Sequence, residues 1–200
     1  MWQRATSALC IVHKALNKIS MGNVVYDGLT FEPFITREKI AARVIELAQE
    51  LRRDISDDNP LFVCVLNGSF IFAADLFRAC DFPDAEITFI RLKSYEGTSS
   101  TGQVKQVLGL NENVEGRTVV IIEDIVDTGV TAVELRRLFE DNKAKSVKMV
   151  TLLFKPTSLK CGKEPEYVGF AIPPAFVLGY GLDIDEKARG LSDIYALKKD

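Results

Sequence analysis

Histidine is nearly missing from this chain of 200 residues: His13 is the only one. The four cysteines, Cys10, Cys64, Cys80 and Cys161, are scattered without a CxxC pair. Together these shortages exclude a compact Cys/His metal site and a CxxC redox motif. The cysteines read as reduced structural thiols, Cys64 within an apolar strand, and they suit the cytoplasm. Asn67-Gly68-Ser69 has the form of a glycosylation sequon, but no convincing secretory signal accompanies it. No run approaches the ~20 apolar residues of a membrane helix, so no membrane association is expected. A basic excess is lacking too: 25 Lys and Arg face 28 Asp and Glu, a formal charge of −3. Nothing attracts nucleic acid or an anionic membrane in general, so any anionic ligand must be held locally.

What is present is a hydrophobic content of 47%, enough for one domain with a full-sized core. No internal repeat or linker divides it. Thr36 can cap a helix running to about Ile55, because Ile40, Val44, Leu47, Ala48, Leu51 and Ile55 form one apolar stripe. Asp57-Asp58-Asn59-Pro60 ends it. Leu61 to Leu66 reads as a short apolar strand, Asn67-Gly68-Ser69 as a turn and Phe70 to Cys80 as a helix. Glu86 to Leu92 is the next strand, residues 94–103 a polar loop, and 104–110 a strand returning antiparallel. Val147 to Phe154 is a further strand ending at Lys155-Pro156, and short strands and loops follow from about Tyr167. Strands alternating with helices predict an α/β fold with a doubly wound, mainly parallel sheet, and the irregular C-terminal part predicts a small hood over it.

The most informative stretch is Val119-Val120-Ile121-Ile122-Glu123-Asp124-Ile125-Val126-Asp127-Thr128-Gly129-Val130-Thr131. Val119 to Ile122 has the length and branching of a strand buried on both faces, and Ala132, Leu135 and Phe139 recur at helical spacing. In such a strand, turn and helix the turn lies at the carboxyl edge of the sheet. There its backbone N–H groups join the positive end of the helix dipole. Thr128 and Thr131 add hydroxyl donors, and Gly129 lets a phosphate approach the backbone. The turn has no lysine, unlike a GxxxxGK[ST] loop, so triphosphate hydrolysis by that route is not expected. Glu123 and Asp124 are instead placed to receive the vicinal hydroxyls of a sugar whose phosphate the turn holds, a combination that describes a 5-phosphoribosyl group. The plain alternative is a buried strand with an acidic end leading into a capped helix.

This segment resembles the phosphoribosyl-pyrophosphate (PRPP) signature of the type I phosphoribosyltransferases. Leu66-Asn67-Gly68-Ser69, Arg91-Leu92-Lys93-Ser94-Tyr95, Leu152-Leu153-Phe154-Lys155 and Phe176-Val177-Leu178-Gly179-Tyr180-Gly181-Leu182-Asp183 narrow the resemblance to the 6-oxopurine branch. They occur in the family's order from about residue 24 to the C-terminus. The resemblance implies the type I phosphoribosyltransferase fold over residues 23–200. The core would be about 36–170, with a hood from the N-terminal strand region and about 171–200, after an extension at 1–22. That extension reads as a short packed helix, as sequence upstream of a family-like start at Met21, or as an organelle-targeting segment.

The resemblance also distributes roles. Asp127, Thr128, Gly129, Val130 and Thr131 would hold the 5-phosphate, Glu123 and Asp124 the ribose, and Asp127 would be the general base facing purine N7. A helix cap is the structural alternative for Asp127. Leu66, Asn67 and Gly68 would form the pyrophosphate loop, whose first peptide is often cis in the family. Many relatives carry lysine at the Asn67 position, which weakens any side-chain argument there. Arg189 would bind pyrophosphate, and Glu123, Asp124 and Asp183 would serve Mg2+. Lys155 would donate to the purine O6, Phe176 and Ile125 would cover its faces, and backbone at Val177 and Asp183 would meet its edge. Ser94 and Tyr95 would belong to a lid. The implied substrates are PRPP with hypoxanthine or guanine, and the implied assembly is a homodimer or homotetramer. A xanthine-accepting enzyme and a non-catalytic PRPP- or nucleotide-binding regulator of the same fold are the rivals.

Overall fold

The computed structural model describes residues 22–55, 59–93, 106–108 and 112–199. Residues 1–21 of the predicted extension and the predicted lid pair Ser94 and Tyr95 lie outside them. Strands β3 (Leu61–Leu66), β4 (Glu86–Lys93), β5 (Gln106–Leu108), β6 (Thr118–Val126), β7 (Ser146–Phe154) and β8 (Tyr167–Ala171) form a sheet in the order β5-β4-β3-β6-β7-β8. All pairs are parallel except β4–β5, the antiparallel return read from the sequence. The remaining strands, β1 (Val24–Tyr26), β2 (Leu29–Ile35), β9 (Val177–Leu178) and β10 (Ile194–Leu197), make a second, antiparallel sheet in the order β1-β2-β10-β9. This is the hood.

The apolar strands serve two cores at once because side chains alternate between faces. Phe62 and Cys64 of β3 and Val120 and Ile122 of β6 pack with helix α1 (Arg37–Asp54) and helix α2 (Phe70–Cys80). Leu61, Val63, Val119 and Ile121 point to the other face, against Ala132, Leu135 and Phe139 of helix α3 (Val130–Asp141). Thr36 caps α1 as predicted, its hydroxyl accepting from Lys39 N at 3.3 Å.

In chain order the parallel strands β3, β4, β6, β7 and β8 are arranged β4-β3-β6-β7-β8, so the winding reverses between β3 and β6. Such a reversal leaves a crevice beyond the carboxyl ends of the two strands, the usual ligand position in open α/β sheets. Leu66-Asn67-Gly68 and Glu123-Asp124 lie at those two ends.

Candidate active site

β3 and β6 pair as far as Cys64 opposite Ile122. Beyond that point β6 continues beside β7, with Glu123 opposite Thr151 and Val126 opposite Phe154. The acids therefore lie within the strand, where the sequence reading ended the apolar run at Ile122. Neighbouring strand residues point to opposite faces, so the two carboxylates serve different parts of the crevice. Asp124 meets the Leu66-Asn67-Gly68 loop: a Cβ on Gly68 would overlap its carboxylate. Glu123 lines a cavity of about 100 Å³ with Ile125, Val126, Asp127, Thr128, Gly129, Thr131 and Ala132. The Leu66–Asn67 peptide is cis.

The turn after β6 opens a helix N-terminus toward the cavity. Gly129 is the N-cap of α3, with φ 86°, no side-chain cap bond forms there, and no acid stands in the first helical turn. The positive helix end thus faces the cavity without a competing charge of its own. Gly129 has a second reason to be glycine: its missing side chain leaves room for the Cys161 carbonyl and the Leu159 side chain. The N–H groups of Lys160 and Cys161 donate to Thr128 O at 3.0 and 3.3 Å, bracing the turn from outside.

Burial sets the charges of the acids. Glu123 is 6% exposed, and burial, reinforced by the Asp124 charge, raises its pKa well above the ordinary carboxylate value. Burial likewise pushes Asp124 up to about 6; the Asp183 carboxylate adds to this, while the Ile125 N–H and Arg189 oppose it. Asp127 behaves in the opposite way. Lys155 Nζ donates to its Oδ2 at 2.8 Å, and that bond, with help from Ser158 and Lys160, holds the carboxyl below its ordinary value. Asp127 follows β6 and Lys155 follows β7, so the parallel register of Val126 with Phe154 puts them side by side. The N-cap position belongs to Gly129, and Asp127 is a partner of Lys155 instead of a helix cap.

The hood supplies the opposite wall. Arg189 Nη2 reaches Asp183 Oδ1 at 2.9 Å and Glu186 Oε2 at 2.8 Å, while its Nη1 donates to Gly181 O at 2.9 Å. Gly181, at φ 102°, packs on the Gly68 carbonyl, so the hood closes directly over the loop after β3. Phe176 is 48% exposed and tilts at 50° against Phe31 of β2, with ring centroids 5.9 Å apart. Val177 is buried in β9, opposite Ala196.

Glu186, Gly181 and Ser158 were missed in the sequence. The spacing of Glu186 three residues before Arg189, and the closely spaced Gly179 and Gly181, were the available signals. A larger cavity of about 500 Å³ lies between α1, α2 and the hood, lined by Arg37, Ile40, Ile71, Asp75, Tyr180 and Leu191 among others. It contains none of the predicted site residues. Its Asp75 is committed to the Tyr180 hydroxyl at 2.7 Å.

Comparison with known proteins agrees with this geometry. Residues 35–185 match the family described as a phosphoribosyl transferase domain. The hypoxanthine-guanine phosphoribosyltransferase of Bacillus subtilis is 45% identical over 165 residues, which cover 82% of this chain and 91% of that protein. A solved hypoxanthine phosphoribosyltransferase of Staphylococcus aureus superposes with a TM-score of 0.76 at 38% identity, covering 84% of this chain and 91% of that one. The hypoxanthine phosphoribosyl transferase of Trypanosoma cruzi gives a TM-score of 0.78 at 36% identity over 88% of this chain and 94% of the other.

Proposed function

The chain belongs to the phosphoribosyltransferase family, and from that premise we propose that it converts hypoxanthine or guanine plus PRPP to IMP or GMP plus pyrophosphate. The observation that carries this reading is the crevice at the β3–β6 reversal. It faces an anion-binding turn, a pair of carboxylates and a lysine bonded to an aspartate.

Transfer forms a bond from a purine nitrogen to the anomeric carbon and breaks the bond from that carbon to pyrophosphate, which departs with the electron pair. The purine must lose a proton, and Asp127 receives it. The turn from Asp127 to Thr131, including Val130, holds the 5-phosphate, while Glu123 and Asp124 hold the ribose and favour positive charge on its ring. Leu66, Asn67, Gly68 and Arg189 receive the pyrophosphate. Lys155 donates to the 6-oxo oxygen, Phe176 and Ile125 enclose the base, and backbone at Val177 and Asp183 meets its edge.

The donor set suits magnesium. Among the described residues no three His, Cys, Asp or Glu cluster as a metal cage, yet Mg2+ commonly takes one or two carboxylates plus phosphate oxygens and water. The Asp183 carboxylate lies close enough to Asp124 to oppose its ionisation, a charge conflict that a cation relieves. Asp124 and Asp183 would hold the ion, which would neutralise pyrophosphate charge when bound. The same reading makes the protein a cytoplasmic enzyme of purine salvage, acting as a homodimer or homotetramer. Among the described residues no helix is long and apolar enough to cross a membrane.

The test is to mix the protein with PRPP and Mg2+ and follow each base by absorbance. Absence of turnover with hypoxanthine and guanine sinks the reading, and turnover confined to xanthine sinks the substrate assignment. A second prediction concerns the glycine wedged between Asp124 and Gly181. Gly68→Ala should lower kcat/KM by roughly 10²-fold, because displacing a binding group by about 1 Å has that effect. Wild-type kinetics in this variant would show that the Gly68–Asp124 contact does not position substrate.

A further inference from the structure

Lys155 is buried to a degree unusual for a lysine that has one acidic partner. Its side chain is 12% exposed, and its ammonium donates to Asp127 Oδ2 at 2.8 Å. Asp127 is the group that must take the purine proton, and in doing so it loses its negative charge. A neutral carboxyl no longer compensates the ammonium. Lys155 would then be left as a nearly buried cation without an anionic partner, a situation that is strongly unfavourable. The proton transfer and the state of Lys155 are therefore coupled by the ion pair itself.

We propose that Lys155 and Asp127 act as a coupled pair, in which an acceptor at the 6-position of the incoming base must engage the ammonium before Asp127 can take that base's proton. This rests on the assignment of a 6-oxopurine substrate and adds a role to it. The 6-oxo oxygen is read in the transition state, where Asp127 becomes neutral, more strongly than in the ground state, where Asp127 still satisfies Lys155. Interactions that strengthen only in the transition state change kcat and not KM. A purine with hydrogen at the 6-position can enter the site and stack, but offers nothing to Lys155. A 6-amino group presents a donor to a donor. Selection among bases thus occurs in the chemical step.

The other groups facing Asp127 are compatible with this coupling. Ser158 donates to it, Lys160 adds a more distant positive charge, and α3 begins just beyond with no acid in its first turn. Lys160 is exposed, so solvent compensates its charge when Asp127 is neutralised. Lys155 has less of that recourse, its side chain being 12% exposed against 45% for that of Asp127.

The experiment compares hypoxanthine with unsubstituted purine, using the full chain, PRPP and Mg2+. In the wild type, unsubstituted purine should show a kcat roughly 10²-fold lower than hypoxanthine, with the smaller change in KM. In Lys155→Met the ammonium is gone and its penalty with it. Turnover of hypoxanthine should fall, whereas kcat for unsubstituted purine should rise by roughly tenfold, a part of the ~10²- to 10⁴-fold that a general base contributes. The acidic limb of the purine profile should also move to higher pH, because the bond that holds the Asp127 carboxyl low has been removed. A variant that lowers both bases alike, or leaves unsubstituted purine unchanged, overturns the coupling. Lys155→Gln, neutral with a polar head, carries the same expectation if the methionine variant does not fold. Lack of wild-type turnover with hypoxanthine would instead be a failure of the substrate assignment, visible before any variant is made.

Discussion

Replacing Asp127 by asparagine should lower kcat by about 10²- to 10⁴-fold, the usual range for removing a positioned general base, while PRPP binding changes little. The amide has nearly the volume of the carboxylate and its Oδ1 can still accept from Lys155, so the turn after β6 keeps its shape. What is lost is the ability to accept a proton. Lys155, 12% exposed, then faces a neutral partner in the resting protein, and a 6-oxo oxygen becomes a better acceptor for it than before. The KM for hypoxanthine should therefore stay level or fall. Single-turnover kinetics alongside calorimetric titration of PRPP would separate these effects. Equal losses in turnover and PRPP affinity would mean that Asp127 supports the turn and performs no chemistry.

The parts of this fold that were legible in the sequence are those where one period dominates. Ile40, Val44, Leu47, Ala48 and Leu51 declare α1, and all five are buried. The run Leu61 to Leu66 declares β3, and the observed strand has those bounds. The end of β6 was less legible, because Glu123 and Asp124 resemble a strand terminus by composition. The partner decides the matter: β7 continues the ladder to Val126 opposite Phe154, and a ladder to a neighbour has no signature in the strand's own residues. The same register explains why Asp127 and Lys155, 28 positions apart, could be assigned separate duties from the sequence and still turn out to be bonded. Gly129 shows a third case. The turn suggested a glycine that lets a phosphate approach the backbone, but the Cys161 carbonyl that occupies its missing side chain comes from a loop 32 residues on.

Glu166→Gln should destabilise the protein by about 3 kcal/mol, the lower end of what breaking one partner out of a buried ion pair costs, and leave catalysis nearly intact. Arg136 of α3, its side chain 7% exposed, donates to both carboxylate oxygens of Glu166 at 3.1 and 2.6 Å. Glu166 Oε2 also accepts from Met149 N at 2.8 Å, so one carboxylate ties α3 to β7. Burial opposes ionisation here, but the Arg136 bonds, the Lys163 contact and the Met149 N–H together bring the pKa from the ordinary 4.5 down to about 2. The sign of the pH dependence follows. A depressed carboxylate stabilises the fold above its unfolded pKa, and that stabilisation is lost as pH falls from about 4.5 toward 2. The glutamine variant should lack this slope. For a chain of this size the expected fall in Tm at pH 7 is roughly 6–12 °C. Arg136 lies six residues along α3 from Val130, about 9 Å of helix, so the clamp holds the helix without touching the phosphate turn. The kcat at 25 °C should therefore stay within about twofold of wild type. A fall in kcat as large as that predicted for Asp127→Asn, with Tm unchanged, would reverse this division and make the clamp a determinant of where the turn presents its N–H groups.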